Sequence, residues 1–176
     1  MKQLLAFIAL FALVYSCNNA SEPATTTNAV DSVAMAKEAM LAKNKATALA
    51  SVQGFNSRNV DDVLKDAAAD LTDYGDGSGK PMKNMDSLKA DLKAFINAFP
   101  DLKVETSVVL ADGNHVAVFE TWSGTFKADM MKMKATGKSF KLNDVDLFTF
   151  NDAGKITEHR NIQSNQALFS QVMKKK

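Results

Sequence analysis

The residues in this sequence that are best suited to chemistry lie on one predicted strand. Apolar and polar residues alternate over positions 140–150, and successive side chains of a strand point to opposite faces. Two carboxyl groups therefore interrupt an apolar face formed by Phe140, Leu142, Asp144, Asp146, Phe148 and Phe150. A carboxyl group inside apolar surroundings is costly and is often used in function. We predict a functional Asp146, walled by Phe148 and other apolar side chains. The alternative is a structural acid satisfied by backbone donors, and this alternative is stronger for Asp144, which a bulge could also turn outward.

Two neighbouring strands supply further candidates. Alternation over residues 155–163 places His159 and Asn161 on one face, where His159 could carry a proton near neutral pH. The same pattern assigns Ile156 and Ile162 to the opposite face. In strand 115–122, Glu120 and Trp122 share a face with valines, so Trp122 is either core or pocket wall.

Metal and cofactor chemistry are not predicted. The only histidines are His115 and His159, and neither stands in a His-x-His or Glu-x-x-His pair. The sequence also has no nucleophile elbow and no dinucleotide glycine fingerprint. We therefore predict no metal site and no cofactor.

Several elements must position these side chains. We predict a helix capped by Asp31, an amphipathic second helix over 60–71 capped by Asn59, and a third helix that ends before Pro100. Residues 72–80, which include Tyr74 and Asp76, contain three glycines and predict a short strand or a turn where the backbone bends sharply. Strand 102–110 then pairs across the turn at 112–114, with Val104, Val108 and Leu110 on its buried face. Helices followed by a strand meander predict an α+β fold with helices on one face of a bent sheet.

The whole-chain composition is that of one globular domain. The chain has 176 residues, is 46% hydrophobic and carries a net charge of +1. Basic and acidic residues are well mixed, so nothing favours a nucleic-acid partner.

The first 16 residues have the pattern of an export signal, with one lysine and then an apolar run too short to span a bilayer. Val14, Tyr15, Ser16 and Cys17 resemble the lipobox of bacterial lipoproteins. The resemblance implies lipidation of Cys17 and anchoring to a bacterial membrane, on the periplasmic side of the outer membrane. The alternative is that Cys17 simply belongs to the end of a signal peptide. Residues 17–29 then form the lipidated cysteine and a disordered tether, and residues 30–176 form the domain.

Short motifs over residues 95–163 resemble the SnoaL-like polyketide cyclases of the NTF2-like superfamily. They are Phe95-Ile-Asn-Ala-Phe-Pro-Asp-Leu102, Thr121-Trp-Ser-Gly-Thr125, Ala135-Thr-Gly-Lys138 and Gly154-Lys-Ile156 followed by Glu158-His159. The resemblance implies a cone, in which a bent antiparallel or mixed sheet wraps around three helices and leaves a pocket. It also implies pairing of two copies through their sheets.

Ketosteroid isomerase, a distant relative, has a similar strand ending in a glycine turn. Aligning these turns places Asp146 on its oxyanion aspartate and Asp76 near its base. That enzyme is the standard example of a carboxylic acid kept neutral by an apolar site. The resemblance therefore implies catalytic roles for Asp146 and Asp76. From its position on the pocket-side face we predict a catalytic role for His159 as well. We predict ligand contacts for Tyr74, Glu120, Trp122, Asp144, Phe148 and Asn161.

This chain also departs from the family pattern. Phe126 stands where the cyclases tend to have histidine, and Asn161 and Ser164 stand where they tend to have acids. We therefore favour a membrane-anchored module that binds a small, mainly apolar molecule. The alternative is a cofactor-free acid/base enzyme, an ester cyclase or isomerase, that acts on an enolisable carbonyl compound.

Overall fold

A computed structural model describes residues 26–173. The predicted signal peptide, Cys17 and the first part of the predicted tether lie outside these residues. The described part forms an α+β fold of four helices and one five-stranded sheet, which confirms the predicted fold class. None of the helices in residues 26–173 is both long enough and apolar enough to cross a bilayer.

The first helix, α1, runs from Thr26 to Ser57. It begins before the predicted cap, so Asp31 lies inside the helix and residues 26–29, which we assigned to the tether, are helical. Side chains over residues 30–40 are all exposed, whereas Ala48 and Val52 are fully buried. The C-terminal half of α1 therefore belongs to the core, and the N-terminal half projects from it.

The predicted second helix is wrong over most of its length. Helix α2 covers only Val60–Val63, and the strand β1 follows at Ala67–Asp73. The predicted cap is correct, because Asn59 Oδ1 accepts a hydrogen bond from the Asp61 amide at 3.0 Å. The strand forms because residues 67–73 pair in parallel with the strand β5, Ile156–Asn161. This pairing between distant segments overrides a local apolar spacing that also suits a helix.

Helix α3, Met85–Ala98, agrees with the prediction and begins at an Asn84 cap. A fourth helix, α4, spans Asn165–Met173 and was not predicted. Its buried Leu168 and Val172 join the core. Near the end of α1, a Cβ atom on Gly54 would lie 2.7 Å from the Val63 amide nitrogen, so glycine allows α2 to pack directly on α1.

The sheet order is β1-β5-β4-β3-β2, where β2 is Lys103–Asp112, β3 is His115–Thr125 and β4 is Ser139–Phe150. All pairs except β1 with β5 are antiparallel. Alternation in β3 and β4 matches the prediction, since Val118, Glu120, Asp146 and Phe148 all point inward and are buried.

Two register shifts correct the predicted faces. At Ser107 in β2 the register shifts against β3, so Val108 and Leu110 face outward and are 46% and 54% exposed. At the start of β5 a second shift turns Ile156 inward, where it is 3% exposed, while Ile162 remains outside. Such bulges also bend a sheet. The inner face and the helices therefore enclose the core, which includes Phe99 stacked on Phe126.

Candidate functional site

A cavity of about 180 Å³ lies between the inner face of the sheet and helices α1, α3 and α4. Its apolar wall is formed by Phe55, Leu92, Phe95, Trp122, Leu142 and Leu168. Its polar side chains include Asp73, Asp144, Asp146, His159, Asn161 and Gln163. The structure thus brings together five of the predicted site residues: Trp122, Asp144, Asp146, His159 and Asn161.

A smaller cavity of about 40 Å³ lies behind the first. The two share Phe55, Asp73, Leu92, Asp146 and His159 as walls. Predicted Phe148 lines this inner space, and its ring lies 5.1 Å from the His159 ring, centroid to centroid. The carboxyl and imidazole groups therefore stand at the junction between two mainly apolar spaces.

His159 on β5 bridges two aspartates. Its Nε2 lies 3.4 Å from Asp146 Oδ1, and its Nδ1 lies 3.2 Å from Asp73 Oδ1. Strand register produces this arrangement, because His159 pairs with Phe148 of β4 on one side and with Asp73 of β1 on the other. Three neighbouring strands thus each contribute one group to a continuous line of polar contacts.

His159 is protonated, and therefore an imidazolium, at neutral pH. Burial by itself lowers the pKa of His159, but hydrogen bonds and charge from Asp146 and Asp73 outweigh it and raise the pKa to about 10. Burial likewise disfavours the ionised form of Asp73, yet His159 and the Gly75 amide hold the pKa of Asp73 below its usual value. The site therefore holds a charged imidazole between two aspartate side chains.

Glu120 lies next to this line, on the core side. The residue is 3% exposed, and its Oε1 accepts a hydrogen bond from Trp122 Nε1 at 2.6 Å. Burial, followed by the adjacent Asp146 carboxyl, raises the pKa of Glu120 to about 10. The inner face thus carries a neutral carboxylic acid at pH 7, and this acid is Glu120. Asp146 instead contacts the charged His159.

Asp144 is half-buried and lines the cavity. Its Oδ1 accepts hydrogen bonds from the amides of Val145 and Gln163 at 2.7 and 2.6 Å. Burial raises the pKa of Asp144, and these amides oppose the rise. The side chain therefore joins β4 to the segment after β5, as the structural alternative predicted. Next to it, Asn161 Nδ2 donates to the Gln163 carbonyl at 2.6 Å.

Asp76 and Tyr74 do not line the cavity. Asp76 accepts hydrogen bonds from Ser78 and, at 2.8 Å, from the Asn165 amide at the start of α4. These bonds lower the pKa of its carboxyl group. The Tyr74 hydroxyl donates to Glu158 at 3.4 Å, and Arg160 stacks over its ring at 4.5 Å. Asp76 thus shapes a turn, and Tyr74 belongs to a polar cluster outside the cavity.

Asp73 takes the place at the cavity that the alignment gave to Asp76. Sequence reasoning missed it because residues 60–71 were assigned to a helix, and residues 72–80, which contain Asp73, to a separate short strand or turn. Had residues 67–73 been identified as one strand, Asp73 would have fallen on the same face as Leu71, which is 4% exposed. Within residues 26–173, no group of three histidine, cysteine or acidic side chains is arranged to hold a metal ion.

Known structures share the fold of this chain. AclR of Streptomyces galilaeus, a proposed hydroxylase, is 25% identical with a TM-score of 0.65, covering 77% of this chain and 88% of its own. A proposed SnoaL-like polyketide cyclase of Jannaschia sp. CCS1 is 18% identical with a TM-score of 0.70, covering 78% and 96%. A Catenulispora acidiphila protein of ketosteroid isomerase-like fold, in complex with trimethylamine, is 16% identical with a TM-score of 0.60, covering 72% and 92%.

Among curated proteins, none matches this chain. The sequence profile described as SnoaL-like polyketide cyclase matches residues 45–172. This range contains all five strands, the line of polar contacts formed by Asp146, His159 and Asp73, and the neighbouring Glu120. The chain therefore belongs to the SnoaL-like polyketide cyclase family.

Proposed function

We propose that this protein binds a small, mainly apolar molecule in its cavity while a lipid on Cys17 holds it at a bacterial membrane. One observation carries the binding proposal. A largely apolar hollow of about 180 Å³ ends at the side chains of Asp73, His159 and Asp146. Apolar walls with a few convergent polar groups are the usual composition of a small-molecule site.

The size and charge of the cavity restrict the class of molecule that it can bind. Pockets for drug-sized ligands usually span roughly 300–1,000 Å³, so a space of about 180 Å³ suits a compact molecule better than a multi-ring polyketide. The lining holds three aspartates, one histidine and no lysine or arginine. A neutral or cationic molecule is therefore favoured over an anion, and the aromatic walls suit an ammonium group. The trimethylamine complex of the Catenulispora protein is consistent with that preference.

The binding proposal can be tested by filling the cavity. Leu142→Trp places a large side chain in the cavity, whereas Leu147→Trp makes the same change on the outer face of the same strand. Small molecules that co-purify with the full chain are extracted and identified by mass spectrometry, and trimethylamine, tert-butanol and pivalate are titrated as probes of similar shape. Loss of binding in Leu142→Trp alone supports the proposal. Equal binding in both variants, or no ligand in the wild type, refutes it.

An acid/base enzyme is the second candidate, and the charged His159 favours it. An Asp73 or Asp146 carboxylate could remove a proton next to a carbonyl group while the imidazolium donates a hydrogen bond to the developing oxyanion. No cofactor enters this step. His159→Gln should then abolish turnover of an enolisable ketone or ester while leaving affinity for the same compound within about tenfold. Unchanged turnover would exclude the step.

Lipid attachment has its own test. Cells fed labelled fatty acid should label the wild-type chain, and Cys17→Ser should remove the label and release the protein from the membrane fraction. A labelled Cys17→Ser variant would exclude this anchor. The outer face of the sheet also leaves Val108, Leu110, Phe119 and Ile162 between 38% and 59% exposed, so we include pairing of two copies through this face in the proposal.

A further inference from the structure

Glu120 has only one described hydrogen-bond donor. Trp122 Nε1 donates to Oε1, whereas Oε2 is buried and accepts no hydrogen bond from the described residues. A buried ionised carboxylate normally needs two or more donors or a cation. The arrangement therefore fits a protonated carboxyl group, which can itself donate.

The groups that face Glu120 show where that proton can go. Thr106 of β2 and Asp144 of β4 are its partners in the ladder. Asp146, which pairs with the neighbouring inward residue Val118, stands diagonally across from Glu120 on the same buried face, and the two carboxyl groups interact. His159 contacts Asp146 from the other side, and Asp73 lies beyond it. Two adjacent buried carboxyl groups cannot both ionise cheaply, which favours one proton between them.

We propose that Glu120 and Asp146 share one proton, and that Glu120 is a positioning residue that lets Asp146 meet a ligand as either hydrogen-bond acceptor or donor. This inference rests on the proposed function, because it concerns the same cavity. When the proton is on Glu120, Asp146 is a carboxylate paired with His159. When it moves, the Glu120 O–H bond breaks and an Asp146 O–H bond forms. The Glu120 carboxylate left behind keeps the Trp122 hydrogen bond, and the total charge is unchanged.

The exchange would matter most for a ligand with a carbonyl or amine group. A carbonyl oxygen needs a donor at the cavity wall, whereas an ammonium group needs an acceptor. With the proton stored one residue deeper, Asp146 could serve either ligand without taking a proton from solvent. Burial and the Asp146 charge, which raise the pKa of Glu120 to about 10, are consistent with a proton kept in the site at neutral pH.

Infrared spectroscopy of the ligand-free full chain tests the proposal. A protonated carboxyl group has a carbonyl stretch that is separate from the bands of carboxylates, and the band shifts in D₂O. We expect it at neutral pH in the wild type and in Glu38→Gln, an exposed control on α1. It should be lost in Glu120→Gln, whose amide keeps an acceptor for Trp122 and a donor for Asp146. It should shift in Asp146→Asn, where the partner becomes an amide.

Three results would overturn the proposal. The first is that the wild type shows no carbonyl stretch of a protonated carboxyl group at neutral pH. The second is that Glu120→Gln shows the same band as the wild type, and the third is that the band does not shift in Asp146→Asn. If Glu120→Gln does not fold, the wild-type band still decides, because it should persist until the pH is well above neutral and then disappear. The measurement needs no ligand. A protein with the band but no ligand would therefore disprove the binding function alone.

Discussion

Replacing Glu120 by glutamine should stabilise the domain at neutral pH. In the folded state the pKa of Glu120 is raised from 4.5 to about 10, mainly by burial. Above pH 4.5 the unfolded chain releases this proton and the folded chain keeps it, so stability falls as the pH rises from 4.5 toward 10. Each pH unit costs about 1.4 kcal/mol, which gives about 3 kcal/mol at pH 7. Glutamine does not titrate and removes this cost.

Urea unfolding at several pH values measures the effect. Glu120→Gln and wild type should have similar free energies of unfolding near pH 4, and the difference should grow steadily to about 3 kcal/mol at pH 7. Glu38→Gln, on the exposed half of α1, should follow the wild type throughout. A difference that does not change with pH, or a Glu120→Gln variant less stable than wild type at pH 7, would refute the reasoning.

Three further changes test the packing and charge of the site. His159→Gln should cost about 3 kcal/mol in urea unfolding at pH 7, because it leaves Asp73 and Asp146 without the cation between them. This cost should shrink as the pH rises from about 6.5 to about 10, because over that range the unfolded chain has lost the His159 proton and the folded chain still keeps it. His115→Gln at the exposed end of β3 should cost little. Gly54→Ala should cost about 2 kcal/mol by calorimetry, because its Cβ would overlap the backbone of α2, whereas Gly79→Ala meets no atom within 4 Å and should be neutral. Phe119→Lys should shift a dimer to monomer in sedimentation experiments; an unchanged sedimentation coefficient for a dimeric protein would rule out pairing through the outer face.

Local sequence pattern predicted much of the sheet and part of the site. Alternation in 140–150 placed Asp146 on the buried face, and the structure agrees because β4 pairs with β3 in unbroken register from Ser139 to Thr149. The same rule placed Glu120 and Trp122 correctly on β3. These positions depend only on strand geometry, which neighbouring residues determine.

The features that were missed depend on contacts between distant residues. Residues 67–71 have an apolar spacing that suits a helix, and only pairing with β5 makes them a strand. Asp73, the last residue of that strand, was therefore not identified as a site residue. The shift at Ser107 could not be seen either, because Val108 and Leu110 continue an apolar alternation that the bulge reverses. The pKa of Glu120 depends on a neighbour on another strand, which no local pattern reveals.

The projecting half of α1 also sets a distance. Eleven residues with exposed side chains, 30–40, form one unbroken helix with the buried half, and at 1.5 Å per residue they add roughly 16 Å. If a lipid on Cys17 holds the chain, the projecting half of α1 keeps the cavity away from the lipid headgroups. It also fixes the orientation of the cavity relative to this helix. Ala36→Pro would break the helix within its projecting half, so that the orientation of the cavity relative to the membrane could vary while the cavity itself stayed unchanged.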